Sequence, residues 1–182
     1  MTPGHLAMKE QRFDISRVTL KDIDTLRAIS IQTFTETFAG QNTESDMQQY
    51  ISENLSLKKL SAELQDSGSQ FYFIRSGNGV MGYLKLNSGN AQTEKGNTNS
   101  LEIERIYVLK EYHGKGLGYL LLKKAISIAR QHRYLYIWLG VWEQNTKAIA
   151  FYEKQGFATY DKHLFKLGSD EQTDLMMKLT LI

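Results

Sequence analysis

Leu101-Glu102-Ile103-Glu104-Arg105-Ile106-Tyr107-Val108-Leu109 has strand character, and it leads within a few residues into His113-Gly114-Lys115-Gly116-Leu117-Gly118. A helical run follows, in which Leu117, Leu121, Ala125 and Ile128 share one face. A strand, a glycine bend and a helix start together make an anion site. The first N–H groups of the helix lack helical partners, and the helix dipole adds positive potential there. Glycines let the backbone approach a ligand without Cβ clashes. Lys115 adds a mobile positive charge. Two better-known phosphate loops fit poorly. A P-loop needs G-x-x-x-x-G-K-[ST], and a dinucleotide fingerprint needs G-x-G-x-x-G, whereas the glycines here are spaced G-x-G-x-G. A plain strand-to-helix connection is the other reading of this spacing.

The pattern on either side of this stretch reads as one domain. Residues 13–18 alternate as a first strand, and a helix from Thr19 or Asp22 carries Ile23, Leu26, Ile29, Ile31 and Phe34 until Gly40. Helical patterns recur over 45–55 and 57–64. Strands at 70–75 and 80–86 are joined by the hairpin turn Ser76-Gly77-Asn78-Gly79. Residues 87–99, rich in Gly, Asn, Thr and Ser, read as a mobile surface loop. After the long helix come an apolar strand at 134–141, a helix at 145–155 closed by Gly156, and strands at 157–167 and 174–181. The order β-α-α-α-β-β-β-α-β-α-β-β implies an α/β (mixed α+β) fold, a mixed sheet of about seven strands with helices on its faces. Residues 1–11 lack periodicity, contain the only proline, and read as a disordered tail or an added leader ahead of a single domain at 12–182.

Composition narrows the function classes. With 182 residues, 41% hydrophobic and 23% charged, the chain reads as globular and can bury a real core. A net charge of +2 gives no argument for nucleic acid, and no apolar run has the ~20 residues of a membrane span. The absence of cysteine removes disulfides, thiolate nucleophiles and Cys-ligated metals, which fits a cytoplasmic protein. The four histidines are scattered without paired ligand spacing, so no metal is expected.

A second constellation runs from Val141 to Phe157. Asn145 is a good helix N-cap, Tyr152 shares a face with Ala148 and Ile149, and Gly156 suits a helix C-cap. Structure alone accounts for all three.

Together the two stretches resemble the GCN5-related N-acetyltransferases (GNAT). The pyrophosphate loop of that family reads [RQ]-x-x-G-x-[GA]; Gly116 and Gly118 hold its small positions, and His113 departs at the first. A second family motif, N-x-x-[AR]-x-x-[FL]-Y-x-x-x-G-F, is matched by Asn145, Ala148, Phe151, Tyr152, Gly156 and Phe157. The resemblance implies the GNAT fold and acetyl-CoA as acyl donor. It places the diphosphate on His113, Gly114, Lys115, Gly116, Leu117, Gly118 and Tyr119, and sets the pantetheine arm along Ile106, Tyr107 and Val108 and against Asn145. It also brings Lys154 towards a CoA phosphate, unless Lys154 is simply a solvated helix end. Tyr152 would protonate the departing sulfur, and the N–H of Val108 would face the oxyanion, worth ~3 kcal/mol if well aimed. Pairing through the last strands is frequent in the family, so a homodimer is a further expectation.

The acceptor sets the chemical problem. A primary amine with a pKa near ~10.4 is neutral in about one part in ~2,500 at pH 7, a handicap of roughly 4–5 kcal/mol. Some group must help remove its proton. Alternation puts Glu102, Glu104, Ile106 and Val108 on one nominal face, and Glu104 is the first candidate base, acting through water; pairing with a neighbouring cation is the other reading. The tail from His163 to Leu179, with Glu36-Thr37-Phe38, resembles the bacterial Pai-type spermidine/spermine N-acetyltransferases. That resemblance implies a small polyamine substrate in a channel with Phe34, Glu36, Phe38 and Glu104 on its walls. A protein N-terminus, a lysine side chain or an aminoglycoside are alternative acceptors, and a non-catalytic acyl-CoA sensor is an alternative of another class.

Overall fold

A computed structural model describes residues 12–95 and 98–181; the tail expected at 1–11 lies outside them. The strands are β1 (Asp14–Arg17), β2 (Ser69–Ser76), β3 (Gly79–Ser88), β4 (Ser100–Val108), β5 (Tyr136–Trp142), β6 (Ala158–Leu167) and β7 (Asp170–Thr180). The α-helices are α1 (Ile23–Phe38), α2 (Glu44–Asn54), α3 (Leu57–Gln65), α4 (Leu117–Gln131) and α5 (Thr146–Lys154). The strands form one sheet in the order β1-β2-β3-β4-β5-β7-β6. Among the described strands only the β4–β5 pair is parallel, as expected when a helix crosses over between them.

Alternation assigns each face its cover. On one side Leu84, Leu86, Leu101, Ile103, Ile137 and Leu139 meet Leu117, Leu121, Leu122, Ala125 and Ile128 of α4, with Tyr152 and Phe157 beside them. On the other, Phe71, Phe73 and Tyr83 meet Leu26 and Ile29 of α1 and Leu60 of α3. A third cluster gathers Phe34, Phe38, Met47, Leu55 and Leu167 where α1, α2 and the last hairpin converge. Asp46 of α2 ties that corner together, accepting from Ser169 N (2.9 Å) and the Thr43 hydroxyl (2.8 Å).

Two expectations about the connections are corrected. The last hairpin has a two-residue turn, Gly168-Ser169, with Leu167 opposite Asp170, so β7 begins four residues earlier than its apolar pattern does. Gly168 has φ +62°, and a Cβ there would lie 2.1 Å from Asp46 Oδ1, so both the turn and the close approach require glycine. The segment after β3, read as a mobile surface loop, is anchored over its described part. Gln92 is buried and accepts from Trp138 Nε1 (2.7 Å) and Ser100 Oγ (2.9 Å), while Thr93 N donates to Glu102 (2.8 Å).

Candidate active site

The site begins where the sheet opens. β4 pairs with β5 only from Ser100–Tyr136 to Ile103–Leu139. Beyond that point β5 stays with β7 as far as Trp142–Asp174, and β4 stays with β3 as far as Val108–Gly82. A wedge-shaped gap therefore separates residues 104–108 from 140–142. A β-bulge lies at its apex: Lys85 pairs with Arg105 and Leu86 with Ile103, leaving Glu104 as the extra residue.

The bulge corrects the face assignment made from alternation. Ile103, Ile106 and Val108 all lie on the α4 side. Glu102 lies on the other face, with Arg105 and Tyr107. The Glu104 side chain turns to the α1/α3 side, where it meets Lys85 and Arg105 (3.3 Å) and accepts from Asn87 Nδ2 (2.6 Å). Arg105 also makes a two-pronged pair with Glu63 of α3 (2.9 and 3.1 Å), and Lys85 lies 3.1 Å from the same carboxylate. Burial pushes the Glu104 carboxyl up, but Arg105 and Lys85 outweigh it and hold it below the ordinary range.

The gap exposes backbone donors. Leu109 N donates to Met81 O of β3 (2.9 Å), so strand alternation turns the N–H groups of Val108 and Ile106 away from β3, towards the opening. The Val108 carbonyl points the same way and takes a 2.7 Å hydrogen bond from His113 Nε2. His113, the departure from the family loop, thus pins the end of β4 to the bend.

The bend has the geometry of an anion cradle. α2, α3 and α5 each start on a side-chain cap, from Thr43, Ser56 and Asn145. α4 starts on Gly116 (φ +78°), with no side-chain cap and no acid in its first turn. Its first helical bond is Leu120 N to Gly116 O (3.1 Å), which leaves the N–H groups of Leu117, Gly118 and Tyr119 without helical partners. A Cβ on Gly114, Gly116 or Gly118 would meet nothing within 4 Å, so the space in front is open. Lys115 Nζ lies 4.9 Å from the centre of the Tyr112 ring. Gly116→Ala forces an L-residue into the left-handed region at a cost of ~1–2 kcal/mol. Calorimetry should show roughly ten-fold weaker CoA binding with an unchanged fold.

The second stretch lies across the gap. Asn145 Oδ1 caps α5 by accepting from Ala148 N (3.2 Å), and Lys154 is exposed at the end of that helix. Tyr152 is 7% exposed, its ring against Phe151 and Phe157, and burial pushes its phenol well above the usual value. The phenol of Tyr107 is also raised, by burial first and then by neighbouring phenols that include Tyr152, so the two lie within electrostatic reach.

The expected acceptor residues are divided. Phe34 and Phe38 are buried; Phe34 stacks on Tyr50 (4.2 Å) and Phe38 tilts against Trp142 (5.9 Å). Glu36 is exposed and accepts from Lys110 N (2.8 Å) and Gln32 Nε2 (3.1 Å), tying α1 to the start of the bend. The sequence reading missed the Lys85–Arg105–Glu63 network and Trp142. A cleft of about 310 Å³, lined by Glu143, Asp170, Glu171, Gln41 and Trp142, was missed as well.

Comparison with known proteins agrees with this geometry. The Acetyltransferase (GNAT) family model matches residues 28–157. The chain is 40% identical over 168 residues to an uncharacterised N-acetyltransferase from the pepI 3′ region of Lactobacillus delbrueckii subsp. lactis, covering 92% of this chain and 97% of the relative. It is 28% identical over 152 residues to a spermidine N(1)-acetyltransferase of Thermoplasma acidophilum, covering 81% and 89%. The crystal structure of the PaiA N-acetyltransferase of T. acidophilum in complex with coenzyme A superposes with a TM-score of 0.78 at 25% identity, covering 93% and 99%. The sheet parted at a bulge, the uncapped glycine bend and these matches together establish that the chain belongs to the GNAT family of N-acetyltransferases, enzymes that use acetyl-CoA.

Proposed function

We propose that the chain acetylates a primary amine of a polyamine such as spermidine, or of a similar small polycation. The observation that carries this reading is the polar cleft beside Trp142, where Glu143, Asp170 and Glu171 supply negative charge and Trp142 lines the wall. Such a cleft suits the remote ammonium of a long polycation, through charge attraction and cation–π contact. The spermidine N(1)-acetyltransferase relative supports the same class.

In this reading the gap between β4 and β5 receives the pantetheine arm, with the backbone of Ile106, Tyr107 and Val108 on one side and Asn145 on the other. Residues 113–119 hold the diphosphate and Lys154 reaches a further phosphate. Acetyl-CoA supplies the acetyl group as a thioester. The N–H of Val108 stabilises the oxyanion, and the phenol of Tyr152, kept protonated by burial, donates to the departing sulfur. Glu104 acts through water, because its carboxylate is already met by Lys85, Arg105 and Asn87. Phe34 and Phe38 form the aromatic floor on the acceptor side, and Glu36 adds negative charge at its edge.

CoA release from acetyl-CoA with spermidine, spermine, a lysine peptide and kanamycin tests the acceptor. Release is expected to be fastest with spermidine or spermine. Release with the peptide or kanamycin alone would move the chain to another acceptor class.

A further inference from the structure

Two carboxylates flank the apex of the gap, and only one of them is engaged. β4 and β5 part after Ile103–Leu139, so Glu104 and Gly140 are the first residues of the two strands that no longer pair across to one another. Glu104 is held by Lys85, Arg105 and Asn87. On the other side β7 pairs with β5, placing Asp174 opposite Trp142 and Met176 opposite Gly140. Because Ile137, Leu139 and Val141 pack towards α4, Gly140 and Trp142 face the α1 side, and so do their partners on β7. A Cβ on Gly140 would lie 3.3 Å from Asp174 Oδ2 and 3.6 Å from Met176 Sδ. The Asp174 carboxylate therefore leans over Gly140, and Gly140 puts no side chain between that oxygen and the opening.

Asp174 is half-buried and has no hydrogen bond or ion pair among the described residues. Burial pushes its carboxyl up to about 6, with His163 pulling the other way. The charged groups around it are few. His163 stands opposite it on β6, Glu94 lies 3.2 Å from His163, Lys178 shares its face four residues along β7, and Glu104 lies across the gap. Its neighbours on β5, Gly140 and Trp142, do not titrate. A carboxylate half-buried without a partner is costly to keep, and such groups concentrate where a charged ligand arrives.

We propose that Asp174 receives the acceptor's ammonium on the α1 face of the gap and takes its first proton. This rests on the acetyl-transfer reading above. An N–H bond of the ammonium breaks, an O–H bond forms on Asp174, and the cation–anion pair becomes a neutral amine and a neutral acid. The amine keeps its lone pair for the thioester carbonyl; its second N–H proton leaves through water towards Glu104 as the amide forms, and the first leaves to water when Asp174 ionises again.

The test uses full-length protein, acetyl-CoA, and whichever of spermidine, a lysine peptide or kanamycin gives the fastest CoA release with wild type. Asp174→Asn should lower kcat/KM for the amine by ~100-fold or more. It should leave the acetyl-CoA Kd within about two-fold of wild type, and it should abolish the acid limb of the kcat/KM profile near pH 6. Its melting temperature should be no lower than wild type, because an amide has no charge to bury. Gly140→Ala, whose methyl would crowd Asp174 Oδ2, should lower the same constant ~10-fold with acetyl-CoA affinity intact. Wild-type rate and pH profile in Asp174→Asn would overturn the proposal and leave the acetyl-transfer reading standing. Joint loss of rate, acetyl-CoA affinity and melting temperature would make Asp174 structural and overturn it too. A wild type that neither binds acetyl-CoA nor releases CoA with any of the amines would remove both.

Discussion

Tyr152→Phe should lower turnover by about 10²–10³-fold while leaving acetyl-CoA affinity within about two-fold. The difference between the two effects follows from where the phenol sits. The ring packs with Phe151 and Phe157 in the apolar layer beneath α5, and phenylalanine keeps nearly all of that contact. What disappears is one O–H. Burial raises the phenol, so the folded protein holds it protonated across the neutral range. A buried donor of this kind has little to offer the bound thioester but much to offer the sulfur as negative charge develops on it. A variant with full turnover would remove Tyr152 from the chemistry. A matching loss of acetyl-CoA affinity would mean that the hydroxyl supports binding instead.

Glu63→Ala should destabilise the fold by about 3–5 kcal/mol. Glu63 meets both Arg105 and Lys85, whose side chains are only 8% and 4% exposed. With Glu104 the group contains two cations and two anions, so its charges cancel. Removing Glu63 leaves two buried cations sharing one carboxylate. For a chain of this size the melting temperature should fall by roughly 10 °C or more at neutral pH, read by calorimetry. The loss should also reach the site, because Arg105 and Glu104 belong to the bulge that opens β4 from β5. A drop of only a degree or two would mean that water or rearrangement compensates, and that the network does not hold the bulge.

These effects mark where the sequence was readable and where it was not. The glycine bend was legible as a strand-to-helix turn because closely spaced glycines follow a strand pattern and precede a helical one, and its spacing G-x-G-x-G sets it apart from the commoner phosphate loops. The element order and the inward side of α1 up to Phe34 followed from periodicity, whereas Phe38 was placed only by the resemblance. The bulge did not, because an extra residue leaves the alternation Glu102, Glu104, Ile106, Val108 looking regular. The one signal available was Ile103 and Ile106, both apolar at an odd spacing, which a strand without a bulge would put on opposite faces. Lys85, Arg105 and Glu63 gave no signal, since 20 positions separate Lys85 from Arg105 and 22 separate Glu63 from Lys85, with no local cue to pairing. Asp174 looked like the first residue of a strand. Its place beside Gly140 depends on β7 lying between β5 and β6, which the order of elements along the chain does not specify.

The central claim is that acetyl-CoA lies in the gap between β4 and β5, with its diphosphate on the bend that starts α4. Amide chemical shifts followed during a titration with CoA test it most directly. The account predicts saturable shifts at Ile106, Val108, Gly114, Gly116 and Gly118, with β1 and β2 unmoved. Shifts confined to other strands, or none at those five amides at saturating CoA, would contradict it.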